Sequence, residues 1–384
     1  MNDGAGRDSS QEEAAKAKAR TQARARAARK RPALGLKLTR RFYVVIAAII
    51  ILILLIVIIA TTTSGGSDGG GSFEAALSIA TGFNEAELNN LKINELGAVM
   101  VLEYHRIGEE GRWTRSPENF RSDLDLLYNE DYRAMRLADY VNNKINVEGG
   151  CTPVLFTFDD ADSSQFRYIE QDGQPVIDPR CAVGVMEDFK KTHPDFNMTA
   201  TFYVLPSLFG QDEYIEKKLH FLVDNGYDIG NHTVNHPSLS GLSDSKVVEE
   251  LAGNVGIVQK YLPNYQEQSL ALPNGEEPKN KALLREGSAN GVQYNLIASL
   301  LVGANPSPAP CDASFDPMRM PRIQALDPSL DTGNSGTYAW LNYFIENPER
   351  RYRSDGDAKL VTIPKHMAGR VDNSRLGECS IRTY

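Results

Sequence analysis

The sequence has little cysteine and, beyond residue 41, no excess of positive charge. Its four cysteines include no Cys-x-x-Cys pair, which argues against a zinc site built from thiolates. Residues 1–41 hold 12 Lys and Arg against 4 Asp and Glu, so the net charge of −9 divides into +8 before residue 42 and −17 after it. The basic end suits an anionic partner, whereas the acidic remainder argues against nucleic-acid binding.

Charged residues are also absent from residues 42–60, which read FYVVIAAIIILILLIVIIA. A helix of this length would be about 28 Å long, close to the ~30 Å hydrocarbon thickness of a bilayer. A buried core helix is one alternative, but the run is too long and too uniformly aliphatic for it. A cleaved signal peptide is the other, and its apolar region would be shorter and end in a small-x-small site. We therefore predict a transmembrane helix at 42–60.

The two flanks of this segment differ in charge. Lys and Arg are frequent in residues 29–41, whereas residues 61–72 (TTTSGGSDGGGS) contain neither. Because positively charged flanks stay in the cytoplasm, the sequence predicts a basic cytoplasmic tail at 1–41 and a flexible linker at 61–76. The same rule places residues 77–384 outside the cell as one domain, with membrane lipid as a partner through the single span.

All four cysteines lie beyond the predicted span. An even number of cysteines outside the cytoplasm permits two disulfides, in any of three pairings. The residues concerned are Cys151, Cys181, Cys311 and Cys379.

Strand-like and helix-like stretches alternate from about residue 97. The candidate strands are 98–104, 153–158, 199–204 and 227–230. Between them, apolar residues recur at helical spacing, and the first helix has Ser116 as N-cap and Pro117 in its first turn. Such alternation favours a parallel sheet covered by helices, either open or closed into a barrel.

Two of the predicted strands end in unusual polar residues, 157–160 (TFDD) and 232–236 (HTVNH). Active sites of parallel sheets gather at the carboxyl ends of the strands. Two imidazoles and one carboxylate make a ligand set that suits Zn²⁺ and leaves positions open for water and substrate. A second aspartate that stays off the metal can accept a proton from water, which is sufficient chemistry for hydrolysing an amide or ester.

Each motif alone also has an ordinary explanation. The histidines could be surface or loop residues, and adjacent acids after a strand are often part of a turn or a helix cap. The functional interpretation depends on both motifs occurring at strand ends of one α/β domain.

With these motifs the chain resembles the polysaccharide deacetylase family, carbohydrate esterase family 4. The segments 157–160 and 232–236, the latter followed by Pro237, match the family's first and second motifs, TFDD and H-(S/T)-x-x-H. Residues 101–107 (VLEYHRI) are similar to the strand that opens many membrane-attached members. The resemblance covers residues 97–280 best, and it implies an α/β fold, a distorted (β/α) barrel of about seven strands.

The resemblance also implies the roles of individual residues. Asp159 would be the catalytic base, and Asp160, His232 and His236 would bind a divalent metal. Zn²⁺ is the expected ion, with Co²⁺, Ni²⁺ and Mn²⁺ as alternatives. The implied partner is an acetylated glycan substrate.

The chain departs from the family at its later motifs. The third motif, R-P-P-Y-G, aligns with residues 271–275 (ALPNG), so the arginine that steadies the base is absent, and Pro273 and Gly275 remain as expected substrate contacts. Arg322 is a candidate replacement in space, with a structural salt bridge as the alternative. His105 is a candidate pocket residue. No clear fourth motif is present, and His366 is the only remaining histidine to compare with the fifth motif, in an unsuitable context.

We therefore expect a membrane-anchored, metal-dependent hydrolase that removes acetyl groups from N-acetylglucosamine of a cell wall or exopolysaccharide. The main alternative is a catalytically degenerate member that binds glycan or acts as a scaffold without turnover. A third possibility is an O-acetyl esterase that uses the same site.

Overall fold

The computed structural model describes residues 82–384. The predicted cytoplasmic tail (1–41), transmembrane helix (42–60) and linker (61–76) lie outside these residues. Within 82–384, no helix combines the length and the apolar composition needed to cross a bilayer.

A curled parallel sheet forms the centre of this domain. It contains β1 (Met100–Tyr104), β2 (Tyr132–Ala134), β3 (Thr152–Phe158), β4 (Thr201–Val204), β5 (Asp228–Asn231), β6 (Ser269–Ala271), β7 (Ala298–Leu300) and β8 (Ile323–Gln324). Seven strands follow the hydrogen-bonded order β7-β6-β5-β4-β3-β1-β8, and β2 pairs with β3 as an eighth strand. All these pairings are parallel. The sheet fits the expected distorted barrel of about seven strands.

Helices connect and cover the strands. They are α1 (Glu85–Leu91), α2 (Pro117–Asn129), α3 (Leu137–Val141), α4 (Ala182–Thr192), α5 (Ile215–Asp224), α6 (Asp244–Gln259) and α7 (Thr337–Glu346). Four two-stranded pairs lie outside the main sheet: Arg106–Ile107 with Thr114–Arg115, Tyr168–Gln171 with Gln174–Ile177, Glu286–Ala289 with Val292–Asn295, and Leu360–Ile363 with Ser380–Thr383.

The helix that begins after Ser116 illustrates how the local sequence sets the structure. The Ser116 side chain accepts a hydrogen bond from the backbone N–H of Asn119, and Pro117 occupies the first helical position. Phe120, Leu124 and Leu127 repeat at helical spacing and are buried against the sheet. The predicted start and apolar face of α2 are thus confirmed.

One short segment joins the two edges of the curled sheet. On one side, Leu301 N–H donates to the carbonyl of Met320 (2.8 Å), and Met320 N–H donates to the carbonyl of Ser299 (2.9 Å). Three residues later, Ile323 of β8 pairs with Leu102 of β1. Gly303 permits this approach, since a Cβ there would lie 2.7 Å from the carbonyl oxygen of Arg322. The barrel therefore closes through the backbone on either side of Arg322.

Aromatic side chains fill the core beneath the carboxyl ends of the strands. The ring of Phe158, the last residue of β3, stacks on Phe202 at 5.0 Å and on Tyr104 at 5.2 Å between centroids. These contacts hold the ends of β1, β3 and β4 together, and the residues that follow β1 and β3 start from a rigid base.

None of the four cysteines, which all lie in the described residues, forms a disulfide. Cys181 packs in the hydrophobic cluster that contains α4, whereas Cys151 and Cys311 belong to a different cluster, against which Cys379 also packs. The Cys181 sulfur instead accepts a hydrogen bond from the backbone N–H of Gly184 at 3.4 Å. The two disulfides that an even count permits are therefore not formed in this structure.

A buried carboxyl group supports the end of β5. Glu267 is fully buried just before β6, and its Oε2 accepts a hydrogen bond from Asn231 Nδ2 at 2.6 Å. Asn231 Oδ1 in turn accepts from the backbone N–H of Thr233 at 3.0 Å. Burial raises the pKa of Glu267 to about 8, so this side chain is a neutral acid at moderate pH.

This raised pKa predicts a pH-dependent stability that Glu267→Gln removes. Between the ordinary glutamate pKa and about 8, the folded protein keeps a proton that the unfolded chain has released. Stability therefore falls as pH rises through that window. From pH 5 to pH 8, we expect the unfolding free energy of wild type, measured with urea, to fall by a few kcal/mol more than that of Glu267→Gln. Parallel pH dependence of the two proteins would contradict this.

Candidate active site

Asp159 and Asp160 follow β3 directly, at the carboxyl end of the sheet. Asp160 (φ 78°) and Ala161 (φ 49°) adopt the left-handed conformation, which turns the chain sharply after Asp159. The turn directs both carboxylates into one site, although neighbouring side chains on a continuing strand would point to opposite faces. Asp159 is buried and Asp160 remains partly accessible.

His232 and His236 lie in the loop after β5. His232 Nδ1 is 2.9 Å from the carbonyl oxygen of Ala271. Because a carbonyl can only accept, Nδ1 carries the proton, and Nε2 is the nitrogen that can face an ion. The rest of the loop is held by Glu250, whose carboxylate accepts from the backbone N–H of Val234 at 2.9 Å.

The loop aims both imidazoles at Asp160. The distance from Asp160 Oδ1 is 3.5 Å to His232 Nε2 and 3.9 Å to His236 Nε2. Two nitrogen or oxygen ligands on a tetrahedral zinc ion, each about 2.0–2.1 Å from it, are about 3.4 Å apart. The structure thus brings the three predicted ligands together at nearly the spacing that a cation requires.

The electrostatics of this cluster also suit a cation. Burial alone would lower the pKa of His232, but the negative charges of Asp159 and Asp160 outweigh it and raise that pKa. The site therefore favours added positive charge, and a divalent ion provides it. Donor types, spacing and charge all fit such an ion at Asp160, His232 and His236.

A buried arginine holds the second aspartate. Arg322 Nη1 and Nη2 donate to the two carboxylate oxygens of Asp159, each at 2.7 Å. The remaining N–H groups donate to Glu103 Oε1 (3.1 Å), Thr157 Oγ1 (3.2 Å) and the carbonyl of Leu301 (2.9 Å). All five donors of the guanidinium are used, and its side chain is 0% exposed.

This arrangement sets the charge states of both carboxyl groups. Burial alone would raise the pKa of Asp159, but the positive charge of Arg322 holds it well below its usual range. For Glu103, burial dominates over the attraction of Arg322 and raises the pKa to about 7. Asp159 is therefore the ionised partner, with both of its oxygens fixed in direction.

His105 neighbours this ion pair and is partly buried. It follows β1, and one of its ring nitrogens lies within 4.8 Å of a carboxylate oxygen of Asp159. Its buried Nδ1 has no hydrogen-bond partner, and burial lowers its pKa. The Gln165 side chain donates to the carbonyl of His105 at 2.6 Å and also to that of Asp159, which ties the ends of β1 and β3 together.

The other sequence candidates are Pro273, Gly275 and His366. A short 3-10 turn after β6 spans Pro273–Gly275. Two residues before this turn, the carbonyl of Ala271 contacts His232. His366 is exposed and lines a groove with Gly97 and Ala98, before the amino end of β1. His105 follows the carboxyl end of the same strand, so His366 lies away from the aspartates.

Three residues around Asp159 were not identified from the sequence: Glu103, Gln165 and Trp113, whose ring lies 4.7 Å from that of His105 between centroids. Glu103 did carry a signal, because it is a charged residue inside an otherwise apolar strand of a parallel sheet, where both faces are buried. Gln165 and Trp113 lie in connecting segments, where residue type alone does not indicate which strand end a side chain will meet.

Residues 146–294 match the sequence model of the polysaccharide deacetylase family. The match covers less than half of the chain, and it shows a similarity of this segment to that family. The matched segment contains both aspartates and both histidines, whereas Glu103, His105 and Arg322 lie outside it.

The comparison with solved structures includes the following two proteins. The Streptococcus pyogenes deacetylase PplD in complex with acetate is 18% identical, over 62% of this chain and 99% of that chain, with a TM-score of 0.44. IcaB from Ammonifex degensii is 17% identical, over 61% of this chain and 93% of that chain, with a TM-score of 0.43. The comparison with curated proteins finds no match.

The first site prediction concerns metal binding, with His236→Gln as the variant and His366→Gln as its matched control. We expect wild type and the control to bind one Zn²⁺ per chain with equal affinity. The affinity of His236→Gln should be ~100-fold weaker or lower, because one of three protein ligands is lost. Isothermal titration of the metal-stripped protein measures this, and equal affinity in both variants would contradict the assigned ligand set.

A second prediction concerns the cost of removing the buried guanidinium. Arg322→Met leaves the Asp159 and Glu103 carboxyl groups buried without their partner, and we expect unfolding free energy to fall by ~3–5 kcal/mol. Arg319→Met removes an exposed arginine three residues away and should change it by less than about 1 kcal/mol. Urea unfolding compares the two variants. Equal losses of unfolding free energy would contradict a special role of the buried ion pairs of Arg322.

Proposed function

We propose that this domain is a metal-dependent hydrolase that removes acetyl groups from N-acetylated polysaccharide, with N-acetylglucosamine of a cell wall or exopolysaccharide as the substrate. The observation that carries the proposal is a three-residue cation cluster directly beside an ionised, arginine-bound aspartate. Supporting this, the family match covers the segment that contains both motifs.

Asp160, His232 and His236 are the residues that would hold the ion, with Zn²⁺ favoured and Co²⁺, Ni²⁺ or Mn²⁺ as alternatives. When bound, a divalent ion supplies a Lewis acid that polarises the acetyl carbonyl and makes a water molecule more acidic. The side chains of the protein accept and donate the protons of the reaction.

Asp159 is the proposed base. Its carboxylate is ionised, partly because Arg322 holds it so, and it lies next in sequence to the ligand Asp160. As water adds to the acetyl carbon, Asp159 takes the proton that the water loses. The bidentate contact with Arg322 keeps the carboxylate plane fixed during this transfer, since any rotation would break one of two short hydrogen bonds.

Breaking the carbon–nitrogen bond requires a proton on the leaving nitrogen, and His105 is the proposed donor. It belongs to the neighbouring group with Glu103 and Asp159, and it is not assigned to the ion. The other three histidines lie elsewhere: His193 stacks on Phe189, while His220 and His366 are exposed. With the protonated imidazole of His105 as donor, acetic acid and a free amine form, and the proton taken by Asp159 balances the one that His105 gives.

A binding or scaffolding role without turnover is the alternative, and the weak match to the later family motifs favours it. Two features of the site weigh against it. Arg322 occupies the place beside Asp159 that the third motif leaves empty, and His105 provides a titratable group that the fifth motif does not. An O-acetyl esterase would use the same residues on an ester.

We also propose that the domain acts outside the cell, anchored by the transmembrane helix at 42–60, with the N-terminus in the cytoplasm. The basic flank before this segment and the absence of Lys and Arg in residues 61–72 support that orientation. The acidic remainder of the chain suits a neutral glycan better than a nucleic acid.

Acetate release from N-acetylated chito-oligosaccharides tests the function directly. We expect Asp159→Asn to lower kcat by ~10²–10⁴-fold, because the base is lost while the ion ligands remain. Asp172→Asn is the matched control, since Asp172 is an exposed residue at a turn with φ 52°, a conformation that asparagine tolerates. Zn²⁺ binding by wild type without release from any acetylated glycan would instead support the binding-only alternative.

A further inference from the structure

Trp113 is an exposed aromatic residue at the edge of the site. It is one of two tryptophans in the chain, and its side chain is 38% exposed. Its ring lies 4.7 Å from that of His105, measured between centroids, with the planes tilted by 51°. His105 in turn neighbours Asp159, so Trp113 is one side chain away from the proposed base.

The backbone holds Trp113 firmly in this position. Its carbonyl accepts a hydrogen bond from Arg106 N–H at 3.0 Å, which ties the loop to the segment after β1. The carbonyl of the preceding residue, Arg112, accepts from Gln324 Nε2 at 2.8 Å. Gln324 belongs to β8, the strand that follows Arg322. The backbone at Trp113 is therefore tied to the segment after β1 and to β8.

An exposed indole in a fixed position suits a ligand with an apolar face. Exposure of a large aromatic surface to water is unfavourable, so a ligand that covers this surface gains binding free energy. A pyranose ring presents such a face through its axial C–H groups, while its hydroxyls need polar partners. Arg112 can provide them: it is exposed, and its guanidinium lies 5.6 Å from the indole centroid, so it can move aside and donate to hydroxyls.

We propose that Trp113 is a sugar-stacking platform that binds a pyranose ring of the glycan and places the neighbouring acetyl group toward Asp159, with Arg112 as a hydroxyl partner. This inference rests on the proposed function, since it names how that same site holds its substrate. The ligand class is a neutral N-acetylhexosamine oligosaccharide.

Steady-state kinetics on N-acetylated chitopentaose tests the platform. We expect Trp113→Leu to raise KM ~10-fold with kcat changed less than about 2-fold, and Trp113→Tyr to restore most of the affinity. Trp340→Leu is the matched control, because Trp340 is the other tryptophan and lies in the groove with His366. It should leave both constants unchanged. A drop in kcat at constant KM would mean that Trp113 only supports His105, and would overturn the proposal.

Tryptophan fluorescence separates this inference from the proposed function. In Zn²⁺-loaded Asp159→Asn/Trp340→Phe, Trp113 is the only tryptophan, and we expect chitopentaose to shift its emission saturably. In Zn²⁺-loaded Asp159→Asn/Trp113→Phe, the remaining Trp340 should show no shift. An emission response without acetate release by the wild type would keep the platform and reject the hydrolase. Deacetylation by the wild type without any response of Trp113 would keep the hydrolase and reject the platform.

Discussion

The guanidinium of Arg322, buried between the carboxyl groups of Asp159 and Glu103, is the interaction on which the rest of the site depends. A buried charge is stable only when it is paired and fully hydrogen-bonded, and this one has a partner for each of its five donors. The pairing keeps Asp159 ionised in a place where burial alone would neutralise it. The neighbouring Asp160 is left free to face the two histidines.

The same residue links chemistry to architecture. Arg322 lies between Met320, which bonds to the β7 side of the sheet, and Ile323, which pairs with β1. The backbone contacts that close the barrel therefore also place the side chain of Arg322 beside Asp159. β8 has only two residues, and it directly follows Arg322. Its pairing with β1 therefore adds little to the sheet but fixes the backbone next to Arg322.

Support for the metal-type cluster comes from a different part of the chain. His232 is oriented by a carbonyl on β6, and its loop is held by Glu250 from α6 and by Asn231 and Glu267 below. Such contacts behind a ligand fix its ring orientation and its tautomer before any ion arrives. The base and the ligands are therefore held by different sets of contacts, which meet at the Asp159–Asp160 turn.

The sequence alone determined the parallel α/β character, the start of α2 and the two strand-end motifs, because periodicity, capping and strand-end polarity are local properties of the chain. It also predicted the membrane span, which lies outside the described residues. Only the tertiary structure decided that Arg322 meets Asp159 across 163 positions, that His366 lies away from the site, and that the cysteines stay unpaired. Those outcomes depend on how the sheet curls and closes, and no local pattern encodes the distance between residues so far apart in sequence.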